Sequence, residues 1–222
     1  MQLRPTPAST EKPIPRQPPP LCWRWVGERG LLVATGAATL ARYALLSAGA
    51  FDEVEDIVPA DESVLVILRR GAMVSPALRH ALTAPVVEQQ AIAGTRYEIL
   101  AEYGGEAGPD LAAVAERAGL DAATYVRIHA AAEHAVVFLG FQPGFAYLRG
   151  APSALHAPRR STPRRAVAAG SIAVGGAYTG IYPASGPGGW NIIGRTRAVL
   201  FDPQRETPCL LAPGDRVVFV PA

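Results

Sequence analysis

The chain has 222 residues, of which 49% are hydrophobic, so it is long enough for one large domain or two small ones with a real core. Its formal net charge is only +2, which indicates neither a nucleic-acid-binding surface nor an acidic solvating tail. No run reaches the roughly 18 apolar residues of a membrane span, and the N-terminus lacks a signal-peptide pattern. We therefore expect a cytoplasmic protein that binds neither membranes nor nucleic acid.

The first 20 residues, MQLRPTPASTEKPIPRQPPP, contain seven prolines and almost no large apolar side chains. Such a segment cannot bury enough surface to offset its ordering entropy, so we predict a disordered tail over residues 1–20. The alternative is an extended arm docked on the protein or on a partner, because the closing PPP favours a stiff polyproline conformation.

A small α/β domain is predicted over residues 21–90, with its end between residues 85 and 95. WRWVGERGLLVAT indicates two short strands around a glycine turn, and SVLVILRR suits a buried strand. SPALRHALTA indicates a short helix with Ser75 as its cap and Pro76 at its first position.

Between those strands, ATLARYALLSAG indicates another helix, which ends at Gly49. Its helical spacing predicts one apolar face, made of Leu40, Tyr43, Ala44 and Ala48.

The second predicted domain covers residues 91–222. RYEILAEYGG has the alternation of a half-buried strand, and two helices follow, PDLAAVAERAGL with Asp110 as its cap and DAATYVRIHAAA with Asp121 as its cap. From HAVVFLGF onward only short apolar runs remain, separated by Gly and Pro turns, and this pattern is typical of a β-barrel or sandwich.

Generic catalytic motifs are absent: the sequence has no GxxxxGK[ST] loop, GxGxxG, HExxH or GxSxG. The two cysteines, Cys22 and Cys209, lie far apart without CxxC spacing, so no metal site is predicted. The unusual region is residues 140–196, which is dense in Gly, Pro, Arg and aromatic residues.

Three segments of that region carry the candidate site. GFQPGFAYLRG would present aromatic rings either as a plug at one end of the barrel or as a pocket wall. APRRSTPRR holds four arginines that suit carboxylate or phosphate recognition, the alternative being a solvated loop. GGAYTGIYPASGPGGWNIIGRT lies on a backbone that glycine allows to approach a ligand closely. No catalytic residue is identified; the predicted substrate-binding residues are Tyr147, Arg159, Arg160, Arg164, Thr179, Tyr182, Ser185, Trp190, Arg195 and Thr196.

The segments GFxPGFxYL, PRRxxPRxxVxxGSIAVGG, TGIYP and PGGWxxIGRT, in this order, resemble a known family from about residue 22 to the end. It is the family of the B-subunits of bacterial ATP-dependent 5-oxoprolinase, which includes allophanate hydrolase subunit 1 and the Kip-type kinase inhibitor. It is also similar to one half of the carboxyltransferase region of urea carboxylase.

The resemblance implies an α+β chain in which a small α/β domain precedes a cyclophilin-like β-barrel. It also implies a complex with a homologous C-subunit and with an A-subunit of different fold, which opens the lactam of 5-oxoproline to glutamate at the expense of ATP. In that reaction Trp190 would offer an apolar face to the ring, and Arg195 and Thr196 would donate hydrogen bonds. The alternatives are a regulatory protein that inhibits a sensor histidine kinase and a carboxyl-transfer partner in urea or allophanate metabolism.

Three positions depart from the pattern of the family. Ala146 stands where the family has Pro, Tyr178 where it has Gln, and His134 where it has Tyr. Because Tyr178 lies beside TGIYP, this change bears on the size of the pocket.

Overall fold

A computed structural model describes residues 23–86 and 94–222. The predicted tail, residues 1–20, lies outside the described residues, and so do residues 87–93 within the predicted domain boundary. Both remain predictions.

The N-terminal part is a four-stranded antiparallel sheet with two helices. The strand order is β1-β2-β4-β3. Its elements are β1 (Trp23–Val26), β2 (Gly30–Ala34), α1 (Thr39–Ala48), β3 (Val54–Ala60), β4 (Ser63–Leu68) and α2 (Pro76–Thr83). The predicted strands β1, β2 and β4 are confirmed, as is the cap of α2, where the Ser75 side chain accepts a hydrogen bond from the Leu78 N–H at 3.1 Å.

Strand β3 is an element that the sequence pattern does not predict. Its sequence, VEDIVPA, contains two acidic residues and Pro59, which argue against a buried strand. Because β3 lies at the edge of the sheet, its polar side chains reach solvent and a proline is tolerated there.

The apolar face predicted for helix α1 is only partly buried. The fully buried residues are Thr39, Ala41, Arg42 and Leu46, whereas Tyr43 is partly buried against the core and Ala48 is exposed. The face is rotated because Arg42, which is completely buried, donates hydrogen bonds to the carbonyls of Ala81 and Ala84 at the C-terminal end of α2. A guanidinium there satisfies carbonyls that lack helical partners, so a charged residue occupies a core position.

The C-terminal part is built around a closed barrel of seven strands, ordered β10-β7-β6-β13-β5-β12-β9. A two-stranded ribbon, β11-β8, accompanies it. The elements are β5 (Arg96–Tyr103), α3 (Leu111–Arg117), α4 (Ala122–Ala131), β6 (His134–Leu139), β7 (Ala146–Arg149), β8 (Arg164–Val167), β9 (Ser171–Gly175), β10 (Tyr178–Ile181), β11 (Gly186–Gly188), β12 (Asn191–Arg195) and β13 (Arg216–Pro221). The predicted α+β class and barrel are confirmed.

The barrel wall separates two apolar clusters. One contains residues from all seven strands, such as Ile172, Leu148 and Ile193, together with residues of α3 and α4, and it fills the barrel interior. The other lies on the outer face, because strand residues alternate between the two faces. The outer cluster consists of Phe145, Val167, Ala173, Tyr182, Trp190 and Ile192, with Tyr147 and Tyr178 packed against it.

Within residues 23–86 and 94–222, no helix is long and apolar enough to cross a membrane.

Candidate functional site

A small cavity of about 180 Å³ lies beside the outer cluster. It is lined by Phe141, Phe145, Tyr147, Arg159, Arg160, Pro163, Tyr182, Gly188, Gly189 and Trp190. Five of the predicted substrate-binding residues therefore line a single cavity: Tyr147, Arg159, Arg160, Tyr182 and Trp190. The aromatic loop predicted as a plug or a pocket wall forms part of this lining, on the outside of the barrel.

Aromatic rings in edge-to-face contact form the apolar wall of the cavity. Trp190 is 4% exposed, and its ring centroid lies 5.5 Å from Phe145 and 5.6 Å from Tyr147. Such pairs add about 0.5–1.5 kcal/mol beyond the area that they bury. The wall is consequently a rigid surface against which a flat ligand can pack.

Glycine permits this packing at two positions on neighbouring strands. A Cβ atom at Gly175 would lie 2.7 Å from the Trp190 ring, and one at Gly180 would lie 2.7 Å from Phe145. These separations are far below van der Waals contact, so only glycine allows the indole to lie flat on the barrel wall.

Asp110 organises the arginines of the PRRSTPRR segment. Its carboxylate accepts hydrogen bonds from Arg160 Nη1 at 3.0 Å and from Arg164 Nη1 and Nη2 at 2.8 and 2.9 Å. It also accepts one from the Ile192 N–H at 2.7 Å. The sequence pattern predicts Asp110 as a capping side chain for α3; it does precede the helix, but its side chain makes no capping hydrogen bond. The reason is that two guanidiniums offer stronger, charge-assisted bonds.

The charge state of Asp110 follows from the same contacts. Burial alone would raise the pKa of this carboxyl, but the hydrogen bonds from Arg164 and Ile192, and the charges of Arg164 and Arg160, lower it below its ordinary value. Asp110 is therefore an anion at neutral pH, and because one carboxylate faces two guanidiniums, part of the charge of Arg160 and Arg164 stays uncompensated next to the cavity that Arg160 lines.

Arg159 is the cavity arginine without a carboxylate partner among the described residues. Its guanidinium lies 5.9 Å from the centroid of the Trp190 ring. Nearby, burial raises the pKa of the Tyr147 hydroxyl, although the charge of Arg159 opposes this, and burial also raises the pKa of Tyr182. Both phenols are thus neutral hydrogen-bond donors beside a cation.

The lining is suited to binding an anion rather than to nucleophilic chemistry. Guanidinium and phenol groups can hold a carboxylate, and the rings can hold a flat apolar body. No carboxylate, imidazole, thiol or aliphatic hydroxyl is among the cavity's described lining residues. Within that part of the chain, the cavity contains no nucleophile paired with a base.

The remaining predicted site residues lie elsewhere. Arg164 reaches the site through Asp110, and Ser185 is exposed on the loop before β11. Thr179 points into the barrel, where its hydroxyl is 3.1 Å from His129 Nε2. Arg195 and Thr196 line a second cavity of about 670 Å³, so their role in substrate binding stays a prediction.

The three departures from the family pattern also have distinct places. Ala146 is buried in the barrel interior, and His134 is fully buried next to His129, with ring centroids 4.7 Å apart. Tyr178 lies on the outer face and contacts Tyr147, but it does not line the cavity.

The residues of the small cavity do not fit ATP. A cavity of about 180 Å³ is smaller than the roughly 300–1,000 Å³ clefts that hold ligands of the size of ATP, and the whole sequence lacks a phosphate-binding loop. No group of three potential metal ligands occurs in the described part of the chain.

The fold and site together define an α+β barrel protein with an arginine-lined, aromatic-walled cavity on the outside of the barrel. Residues 21–211 match the family described as carboxyltransferase domain, subdomain C and D, and the chain belongs to this family. The resemblance inferred from the sequence motifs is confirmed.

Three relatives are each named as the B-subunit of 5-oxoprolinase. The chain is 46% identical, over 76% of its length and 78% of the relative's, to the protein of Escherichia coli O157:H7. It is 48% identical to the protein of Haemophilus influenzae, over 57% of this chain and 60% of that one. The protein of Bacillus subtilis is 44% identical, over 62% of this chain and 57% of that one.

Solved structures share the fold. The crystal structure of a protein called TTHA0988 has a TM-score of 0.72 and 36% identity, covering 87% of this chain but only 40% of that one. A conserved uncharacterized protein, PH0987 of Pyrococcus horikoshii, has a TM-score of 0.56 and 35% identity, covering 90% of this chain and 97% of that one. The urea carboxylase of Kluyveromyces lactis, at 19% identity with a TM-score of 0.63 over 94% of this chain and 22% of that one, shows likeness of fold alone.

Proposed function

We propose that the chain is the B-subunit of an ATP-dependent 5-oxoprolinase, which opens the lactam of 5-oxoproline to glutamate together with an A-subunit and a homologous C-subunit. Relatives with this name at 44–48% identity support the proposal. The proposal places the complex in the cytoplasm, where ATP is available.

The observation that carries the proposal is the position of Arg159 over Trp190 at 5.9 Å, next to an Arg160 that Asp110 holds in place. The substrate 5-oxoproline is a small flat ring with one carboxylate. Arg159 and Arg160 are suited to the carboxylate, and the rings of Tyr147 and Trp190 are suited to the lactam.

The role of this chain within the complex is binding and orientation. A lactam carbonyl is a poor electrophile, and phosphorylation of its oxygen by ATP would create an anionic intermediate that fixed cationic donors stabilise. Because the cavity provides no nucleophile with a base and does not fit ATP, we expect the other subunits to supply those functions. The isolated chain would then be inactive.

Reconstitution tests the proposal. The chain is purified alone and together with the A- and C-subunits, and ATP hydrolysis and glutamate formation are measured with and without 5-oxoproline. We expect turnover that requires both 5-oxoproline and all three subunits. Turnover by the isolated chain would contradict the division of labour, and absence of 5-oxoproline turnover by the complex would contradict the function itself.

The same preparations separate the two alternatives. Inhibition of a sensor histidine kinase by the chain without the C-subunit would indicate a regulatory protein. Activity that depends on a biotin-bearing protein would indicate carboxyl transfer.

A further inference from the structure

A carboxylate in the turn between β3 and β4 of the N-terminal sheet contacts the outer wall of the barrel. Asp61 in this turn accepts a hydrogen bond from the hydroxyl of Tyr178 on β10. It also accepts one from Arg149 Nη2 on β7 at 3.1 Å. The Arg149 guanidinium in turn lies 4.8 Å from the centroid of the Tyr178 ring. These three side chains form one connected cluster, which we call the Asp61 cluster.

The Asp61 cluster is adjacent to the candidate cavity without being part of it. Tyr178 does not line the cavity, but its ring centroid lies 5.6 Å from that of Tyr147, which does. Phe138 supports both rings, stacked at 4.2 Å on Tyr147 and edge-on at 5.8 Å from Tyr178. The Tyr147 ring in turn contacts the Trp190 ring, with the two centroids 5.6 Å apart. A continuous series of aromatic contacts therefore connects Asp61 to the cavity wall.

The backbone explains why Tyr147 depends on these neighbours. In the pairing of β10 with β7, the residue directly opposite Tyr147 is Gly180, which has no side chain to hold the ring. The adjacent outward-facing residue of β10 is Tyr178, two positions earlier, so its ring provides lateral support that Gly180 cannot.

We propose that Asp61 and Tyr178 are positioning residues that fix the Tyr147 ring at the wall of the cavity, so that a turn of the N-terminal sheet determines how closely the cavity fits its ligand. The role in substrate fit rests on the proposed function, whereas the positioning of Tyr147 does not. The Asp61 side chain is 53% exposed, so the turn can lose this carboxylate with little effect on the core.

The first experiment measures the cavity directly in the full chain. Trp23 and Trp25 are replaced by phenylalanine, so that Trp190 is the remaining tryptophan, and quenching of its fluorescence by iodide is recorded. Iodide is an anion that Arg159 attracts, and the 4% exposure of Trp190 makes the starting value low. We expect Asp61→Ala and Tyr178→Phe each to increase the quenching constant about twofold, because a loosened Tyr147 opens the path to the indole.

The matched control is Glu55→Ala. Glu55 lies in the same N-terminal sheet and forms an exposed ion pair with Arg29 at 2.5 Å, which involves none of the residues of the Asp61 cluster. The quenching constant of this variant should equal that of the parent. Equal quenching in the parent, the control and both Asp61-cluster variants would overturn the proposal.

The second experiment uses the reconstituted complex. Asp61→Ala is expected to raise KM for 5-oxoproline about fivefold and to leave kcat within about twofold, since it weakens the fit without removing a reacting group. Asp61→Asn should have a smaller effect, because its amide oxygen still accepts the hydrogen bond from Tyr178. Unchanged KM in an active complex overturns the role in substrate fit. An inactive wild-type complex instead contradicts the proposed function and leaves iodide quenching to decide the positioning of Tyr147.

Discussion

Asp110 combines local and long-range structure in a single side chain. It lies at the start of α3, yet its carboxylate accepts hydrogen bonds from two arginines and from the Ile192 N–H, which belong to segments about 50 to 80 residues away in sequence. Its backbone N–H also donates to the Ile192 carbonyl at 2.9 Å. One residue thus joins helix α3, strand β12 and the arginine segment beside the cavity.

Replacing Asp110 with Asn tests this role. An amide keeps the size of the carboxylate but loses the charge that Arg160 and Arg164 require, so we expect a loss of about 2 kcal/mol in the free energy of unfolding. The measurement is urea denaturation at neutral pH. Asp121→Asn is the control, because Asp121 is an exposed cap of α4 and asparagine caps equally well. Equal stability of the two variants would show that the arginines do not depend on Asp110.

Arg159 and Arg195 can be compared directly as candidate substrate ligands, since they line different cavities. Arg159→Lys keeps the charge but loses the planar fork, and we expect activity of the complex to fall more than tenfold, equivalent to over ~1.4 kcal/mol of transition-state stabilisation. Arg195→Lys should lower activity less than about threefold, because Arg195 lines the second cavity and not the one beside Trp190.

Arg165→Lys controls for arginine loss in the same segment, because Arg165 is exposed and does not line the cavity. Melting temperature is measured on the same preparations. A large loss of activity in Arg195→Lys with unchanged melting would assign the substrate to the second cavity instead.

The glycines of β9 and β10 make the barrel wall flat enough for Trp190. Gly175→Ala would place a methyl group 2.7 Å from the indole, so the ring has to shift. Overpacking of this kind costs about 1–3 kcal/mol, and it should also weaken binding in the cavity. Thermal unfolding together with KM for 5-oxoproline measures both effects.

Gly140→Ala is the matched control for that variant. Its added methyl would lie 3.7 Å from Tyr147, an ordinary contact, and Gly140 does not have a positive φ. It should therefore leave both the melting temperature and KM near those of the parent. A Gly175 variant that behaves in the same way would show that Trp190 does not depend on close approach to β9.

Elements with strong local signals could be predicted from the sequence. The alternation of RYEILAEY and the cap residues Ser75 and Asp121 were sufficient to place β5, α2 and α4. Strand β3 and the set of residues that α1 buries were not predictable in this way. Proline is tolerated at position 59 because β3 is an edge strand. Arg42 is buried because it donates hydrogen bonds to the carbonyls of Ala81 and Ala84, some 40 residues later in the chain.

The candidate site was predictable to a similar extent. The density of Gly, Arg and aromatic residues identified the segments, and five of the predicted residues meet in one cavity. The sequence could not show that Trp190, just before β12, and Arg195, the last residue of β12, reach different cavities. It also contained no signal for Asp110 as the partner of Arg160, because that contact depends on the three-dimensional arrangement of α3 and the arginine segment.

The barrel interior contains a group of polar side chains among apolar ones. His129 and His134 are both fully buried, and the His129 ring is hydrogen-bonded to the hydroxyls of Tyr103 at 2.9 Å and Thr179 at 3.1 Å. These bonds connect α4 with strands β5 and β10 across the barrel. The neutral imidazole of His129 is satisfied at both nitrogens, whereas His134 uses only Nε2, which donates to the His129 carbonyl at 3.1 Å, and its Nδ1 has no partner among the described residues. The described contacts offer no counter-ion to either ring in its protonated form.

This interior predicts a stability that decreases in mild acid. Burial lowers the pKa of both histidines, and for His129 the charge of His134 lowers it further. In the unfolded chain they titrate near 6.5, so below that pH the unfolded state binds more protons than the folded state. The contribution to stability is complete above about pH 6.5 and is lost as the pH falls toward the lowered folded pKa, with a slope of at most ~1.4 kcal/mol per pH unit for each histidine.

Replacement of His134 tests whether the interior pair causes this slope. His134→Phe removes one titrating group and keeps an aromatic ring against Phe219, whose centroid is 5.2 Å from that of His134. Urea denaturation between about pH 7.5 and 5 should then show about half the dependence on pH of the wild-type chain, since one of the two buried groups no longer titrates. His80→Asn, an exposed substitution on α2, should leave the slope unchanged. If both variants keep the wild-type slope, the acid sensitivity arises outside the barrel interior.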